Sequence, residues 1–328
     1  DMNLLRRITL TLGAASVGLA LADRTAAQSF PDKPIKIIIP LPPGGGVDLW
    51  ARILTPKLEK LLGQPIVFDY RPGGSGTIGA EAAARAAADG YTMHLIGSAP
   101  FAYLPHMRKL TYDPVSAFVP LGALGAVPFL LVVNPNVPAR NVAELVAYAK
   151  ANPGKLNYAS SGIGSSNHLF CELFKIRTGI EMNHVPYKGV AQYNPDLIGG
   201  VVDLAFTTVA AAIPHLQTGK LRAIGVTSAK RSAVIPSVPT IAEQGVPGFD
   251  EKAWVLFVGP AGIPAEPLAR LRAAFRTSLE DPEVVTALQN AGVEEVGSVP
   301  VDKIAELMRS ELNKWGEVIR KAQITLDS

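Results

Sequence analysis

The sequence predicts an α/β chain folded as two lobes. Three observations carry this: short β-branched runs alternate with helix-period segments, the alternation restarts near the middle, and Gly-rich turns join strands to helices. Residues 35–39 read as the first strand, followed by a Pro/Gly turn and a helix over 48–62 that Gly63 terminates. A strand over 65–70, an Ala-rich helix over 78–88 and a strand over 91–97 complete a βαβ rhythm. That rhythm implies a mostly parallel sheet with helices on both faces. The pattern restarts with a strand at 129–133, a helix at 142–151, a strand at 156–159 and a helix at 167–178. Strands at 184–185, 204–208 and 223–227 follow, with helices between them. After a strand at 254–258 the chain turns helical (268–279 and 284–291) and ends in an amphipathic helix. There Ile304, Leu307, Met308, Leu312, Trp315 and Ile319 recur at near-helical spacing. The crossings between lobes are expected near 125–129 and 248–254.

Composition narrows the class. The 328 residues are 48% apolar and 18% charged, enough for a large core and too apolar for disorder. The length suits two domains of ordinary size. The net charge of +3 is scattered, with adjacent basic pairs at Arg6–Arg7, Arg108–Lys109, Lys230–Arg231 and Arg320–Lys321 and no longer basic tract. A nucleic-acid partner would require those charges gathered on one tract or face, so none is expected.

Arg6 and Arg7 precede an apolar run over 8–22 and the small residues Thr25-Ala26-Ala27. This order predicts a signal peptide over 1–27, cleaved before Gln28, and an exported, periplasmic protein. No Cys near the cleavage site suggests a lipid anchor. Cys171 stands alone on an apolar helical face beside Phe170 and Phe174, and reads as a small buried hydrophobe.

One motif points in a misleading direction. Gly74-Ser75-Gly76-Thr77-Ile78-Gly79 matches a dinucleotide fingerprint, but the next strand ends Leu95-Ile96-Gly97-Ser98, without the carboxylate that would hold the ribose. An exported oxidoreductase rests on that motif alone, and no cofactor is expected. Metal-ligating helical His pairs, nucleophile elbows and phosphate loops are absent from the sequence, so neither a metal site nor an enzyme is expected.

Three turns remain at strand-to-helix junctions. Pro42-Pro43-Gly44-Gly45-Gly46-Val47-Asp48 frees backbone N–H groups beside a helix N-terminus, or is a tight turn capped by Asp48. Ser160-Ser161-Gly162-Ile163-Gly164-Ser165-Ser166-Asn167-His168 gathers more hydroxyl and amide groups than one cap uses, which suits a carboxylate. Ser98-Ala99-Pro100-Phe101 is less specific. Loops at the carboxyl ends of strands are where open α/β sheets bind ligands.

These segments resemble the Bug family, the extracytoplasmic receptors of tripartite tricarboxylate transporters. The resemblance covers the stretch from Pro42-Pro43-Gly44-Gly45-Gly46-Val47-Asp48 through Leu49-Trp50-Ala51-Arg52, then Arg71-Pro72-Gly73-Gly74 through Gly79, and Asp89-Gly90-Tyr91-Thr92. It continues through Tyr112-Asp113-Pro114, the 160–169 run, His184-Val185-Pro186-Tyr187-Lys188-Gly189, the 197–203 segment and Val238-Pro239-Thr240-Ile241-Ala242-Glu243. It is collinear from about residue 30 to 315, with departures at Tyr70, Gly74 and Tyr193-Asn194-Pro195.

The resemblance implies a type II periplasmic binding protein fold, two α/β lobes with a ligand cleft between them. Lobe 1 would comprise 28–128 and 253–328, and lobe 2 residues 129–252. It implies a carboxylate held by backbone amides and hydroxyls, often through water. Gly44, Gly45, Gly46, Asp48, Ser98 and Ala99 are the candidates in lobe 1. Gly164, Ser165, Ser166, Asn167 and His168 are those of lobe 2, with Tyr187 and Asp203 near the cleft. Asp48 reads equally as a helix cap, and Asp203 as a loop anchor. The expected partners are a small carboxylate and the transporter's membrane subunits, with the receptor itself a monomer. A sensory protein serving a membrane histidine kinase is the alternative. The acid itself stays open among dicarboxylates, tricarboxylates, acidic amino acids, nicotinate-like and aromatic carboxylates.

Overall fold

The computed structural model describes residues 30–326, so the leader assigned to 1–27 lies outside the described residues. The first half runs β1 (Ile35–Ile39), α1 (Gly46–Leu62), β2 (Ile66–Tyr70), α2 (Thr77–Ala84), β3 (Thr92–Gly97), β4 (Phe118–Val133) and α3 (Val142–Ala151). Then come β5 (Asn157–Ser160), α4 (Ser166–Thr178), β6 (Asn183–Pro186), α5 (Val190–Gly199), β7 (Leu204–Thr208), α6 (Val209–Gln217) and β8 (Arg222–Val226). β9 (Lys252–Pro260) precedes the closing helices α7 (Ala265–Leu279), α8 (Pro282–Asn290) and α9 (Ile304–Ala322).

The strands fall into two groups joined by one strand. β2, β1 and β3 are parallel neighbours, β9 runs antiparallel to β3, and the first part of β4 runs antiparallel to β9. β4 pairs with β9 as far as Pro128, opposite Lys252; from Phe129 onward its partners are β7 and β8, both antiparallel. β7 then continues in parallel to β5, and β5 to β6. The sheet is therefore mixed rather than mostly parallel.

Residues 129–133 account for only the last part of β4. Pro120, Gly122, Gly125 and Pro128 mask the rest, because such residues weaken strands. The structure accommodates them with register shifts between Pro120 and Gly122 and between Ala123 and Gly125. At Gly125, φ is +154° and an added Cβ would lie 2.5 Å from the Glu294 carbonyl, so close packing demands this glycine. α2 stops at Ala84 rather than 88. The chain must turn at Gly90, whose φ is +87° and which backs onto the Phe30 ring, before it can enter β3.

α9 buries Ile304, Met308, Trp315 and Ile319. Trp315 is fully buried, with Tyr103 edge-on at 4.9 Å and Phe170 of α4 stacked at 5.6 Å. The last helix thus packs against elements from both strand groups. Cys171 is buried on the same face of α4 as the sequence implied, and burial pushes its thiol pKa up.

Candidate functional site

The loop after β1 is held open by its own aspartate. The Gly44 N–H donates to Asp48 Oδ2 at 2.9 Å, and Gly45, extended at φ −86°, caps α1 by accepting the Leu49 N–H at 3.0 Å. Gly44, Gly45 and Gly46 are exposed, whereas Asp48 is 4% exposed. Its Oδ1 accepts from the Tyr70 hydroxyl at 2.6 Å, and Arg52 Nε reaches both oxygens at 3.1 Å. Burial opposes ionisation of Asp48. Hydrogen bonds from Tyr70, Gly44 and Arg52 outweigh it and hold the carboxyl below its ordinary range. Asp48 therefore shapes the loop, and Tyr70, a departure from the family pattern, is one of its supports.

Ser98 directly follows β3 and is buried; its hydroxyl accepts the Trp254 N–H at 2.8 Å, tying the end of β3 to β9. Ala99 is half-buried in the turn Ala99–Tyr103 that follows.

The second loop joins β5 to α4. Gly164, at φ +78°, donates its N–H to His168 Nδ1 at 3.2 Å. An added Cβ there would lie 2.6 Å from Leu104 and 3.2 Å from the Met107 sulfur, so the loop packs against the segment following β3. Ser165 is the N-cap of α4, but its hydroxyl turns inward, 2.6 Å from both the Gly162 carbonyl and Asn167 Oδ1. The Ser161 hydroxyl also donates to Asn167 Oδ1, at 2.9 Å. The first i→i−4 bond of α4 runs from the Leu169 N–H to the Ser165 carbonyl. The N–H groups of Ser166, Asn167 and His168 therefore precede the helical ladder and have no acceptor within it.

Behind this loop lies an aromatic stack. His168 and His184 are 4.1 Å apart and near-parallel, and His184 lies 4.8 Å from Tyr158. Burial, then His184 and Lys175, push the His168 pKa down to about 3. Burial lowers His184 to about 4, with Glu172 opposing and Lys175 reinforcing the shift. Both rings are neutral at ordinary pH. His168 Nδ1 is an acceptor, and His184 Nε2 lies 2.6 Å from the Ser160 hydroxyl. His168 thus acts on the loop from behind.

Tyr187 lies beside the second loop: its N–H donates to the Ser160 carbonyl at 3.0 Å and its hydroxyl to Asp196 Oδ2 at 2.7 Å. Asp203 does not join the group, contrary to its expected place near the cleft. It accepts the Asn157 N–H at 2.7 Å, and both residues sit where β5 and β7 begin. Parallel strands put their loops at the opposite end, about 10 Å away.

Three residues that sequence reasoning passed over lie among these loops. The hydroxyls of Tyr103, Tyr193 and Thr207 are buried without a protein hydrogen bond. Ser98, Ser166 and the carboxylates of Glu311 and Glu251 surround Tyr103, and Thr207 and Asn167 neighbour Tyr193. The Thr207-Thr208 pair closing β7 was a signal of the same strand-to-helix kind. The tyrosines gave none, since each stands in an apolar or helical run.

The Gly74–Gly79 motif is accounted for by packing. An added Cβ would lie 2.4 Å from the Thr77 hydroxyl at Gly74, and 3.1 Å from the His94 ring at Gly79. The helix it opens has only eight residues.

Two strand groups that share β4, with donor-rich loops at the strand ends between them, define a solute-binding protein of the two-lobe periplasmic type. The chain belongs to the tripartite tricarboxylate transporter family of receptors, whose family model matches residues 50–324. It is 36% identical to Protein BugT of Bordetella pertussis over 317 residues, 96% of this chain and 97% of that one. Among solved structures it is similar to Rpa4515 of R. palustris with adipate, at TM-score 0.83 and 34% identity, over 90% of this chain and 99% of that chain. It is similar also to MatC of Rhodopseudomonas palustris with bound malate, at TM-score 0.78 and 31% identity, over 88% of this chain and all of that chain. No helix among the described residues is long and apolar enough to cross a membrane.

Proposed function

We propose that this chain is a periplasmic, monomeric and non-enzymatic receptor that captures a small carboxylate and delivers it to the membrane subunits of a tripartite tricarboxylate transporter. In this reading lobe 1 comprises 28–128 and 253–328, lobe 2 comprises 129–252, and 1–27 is the export signal. The observation that carries it is the start of α4, where the first backbone N–H groups have no acceptor within the helix and the Ser166 hydroxyl neighbours Tyr103. A helix N-terminus contributes about 0.3–1 kcal/mol to an anion, and each direct hydrogen bond to the charge about 1.5–3 kcal/mol. Such donors hold a carboxylate without a cation. Gly44, Gly45 and Gly46 offer exposed backbone from lobe 1, with Ser98 and Ala99 below them.

Gly164, Ser165 and His168 shape the second loop, Tyr187 flanks it, and Asp48 and Asp203 are structural. His168 and His184 are stacked, neutral and committed to the second loop, which suits a structural role for this pair. The adipate and malate carried by the Rpa4515 and MatC structures make short dicarboxylates the first acids to try. The test is thermal-shift screening against a carboxylate panel containing both, followed by titration calorimetry. A melting temperature raised by one or more acids, with 1:1 binding, is the expected outcome. No response to any acid refutes the reading.

A further inference from the structure

The receptor reading explains the loops but leaves a group of side chains unused. Among the described residues, the buried side-chain atoms without a protein hydrogen bond are His94 Nε2, Tyr103 Oη, Tyr193 Oη, Thr207 Oγ1, Ser278 Oγ and Glu294 Oε1. His94, Ser278 and Glu294 sit on separate elements. Tyr103 precedes Leu104, which packs on Gly164 at the entry to α4; Tyr193 packs on Tyr187, whose N–H bonds the Ser160 carbonyl of the same loop, and Thr207 neighbours Tyr193. Folded proteins rarely leave such groups orphaned, because each buried hydroxyl without a partner is destabilising. Three at one place indicate a partner from outside the chain.

Resting on the carboxylate reading, we infer that Tyr103, Tyr193 and Thr207 are ligand-positioning residues whose hydroxyls donate to the anion seated at the N-terminus of α4. They approach it from opposite sides. Tyr103 comes from the turn after β3, while Tyr193 and Thr207 come from α5 and β7 in the other strand group.

The surroundings suit that role. Tyr103 is fully buried and braced edge-on against Trp315, which itself stacks on Phe170 at the base of α4. Tyr193 is fully buried and packs at 6.1 Å against Tyr187, whose hydroxyl Asp196 holds. Neither ring needs to be ordered on binding, which lowers the entropic cost of engagement. Burial raises the pKa of both phenols, so each keeps the proton it would offer to a carboxylate. A carboxylate can accept from several of these hydroxyls at once.

The test uses Tyr103→Phe, Tyr193→Phe and Thr207→Val in the mature protein, with Tyr112→Phe as the contrast, because the Tyr112 hydroxyl already donates to the Pro100 carbonyl at 3.0 Å. Without ligand, the three variants should melt at or above the parental temperature, and Tyr112→Phe below it. In calorimetry with adipate and with malate, each of the three should weaken binding by about 10- to 100-fold, and Tyr112→Phe should not. Parental affinity in the three folded variants overturns the assignment, as do lowered ligand-free melting temperatures, which would make the hydroxyls structural. If the parental protein binds neither acid, the receptor reading fails for those acids. Raised ligand-free melting temperatures of the three variants would then still support the assignment, and lowered ones would overturn it.

Discussion

At Asp48 both carboxylate oxygens are shared among the Tyr70 hydroxyl, Arg52 Nε and the Gly44 N–H, so its charge is consumed in shaping the glycine loop. Its folded pKa lies below the ordinary value. Its stabilising contribution is therefore complete above about pH 4 and lost as pH falls through the lower folded value. Urea unfolding from pH 5 to 3 should show that loss in the parent and a shallower one in Asp48→Asn; equal slopes would remove Asp48 from the account. His168 and His184 act in the same direction, over a higher pH range. Their folded pKa values, about 3 and about 4, lie below the unfolded value near 6.5. The unfolded chain takes up protons first, so stability is full above about pH 6.5 and declines toward pH 4 and below. His184→Gln should flatten that decline between pH 6 and 4 in the same experiment. At this scale the sequence showed which loops carry polar groups, but not where each points. Ser165 looked like a ligand donor and turns inward, and the Tyr103 hydroxyl was invisible inside an apolar run.

Elements were legible where one period dominated. α9 and β7 agree with their patterns, the helix because one buried face dictates it and the strand because it is a short run buried on both faces. β4 was legible only over its last five residues. Its earlier prolines and glycines are explained by neighbours distant in sequence: Gly122 lies under Phe275 and Gly125 against Glu294. Gly125→Ala should therefore destabilise by about 2 kcal/mol or more, through backbone collision and an unfavourable φ. Gly45→Ala should cost about 1 kcal/mol or less, since φ there is −86° and the nearest atom to an added Cβ is 3.8 Å away. Chemical denaturation of both variants checks the contrast, and equal losses would contradict it.

Over the whole molecule, the α/β alternation and the Gly/Ser loops were readable locally, whereas the mixed sheet depends on long-range pairing that no local pattern encodes. The second loop packs through Gly164 against Leu104 and Met107, so the two strand groups touch beside the proposed site. Ligand binding is expected to draw them together, as closure about a cleft commonly does. Small-angle scattering should give a smaller radius of gyration with a saturating acid than without it. Gly164→Ala, which wedges a methyl group into that contact at positive φ, should weaken both closure and affinity. An unchanged radius in the parent, with binding verified by calorimetry, would mean the site forms closed.

The place of β9 has a consequence for how the chain is made. In the finished sheet β9 lies between β3 and β4, although both precede it by more than a hundred residues. A chain emerging from its N-terminus first therefore presents β3 and β4 as unpaired edges around an open slot, and edges of that kind invite mispairing. Residues 129–226 supply β5 to β8 in the meantime, and can settle before the slot is filled. Only when residues 252–260 arrive can β3 and β4 join one sheet, so the earliest strands wait on one of the latest.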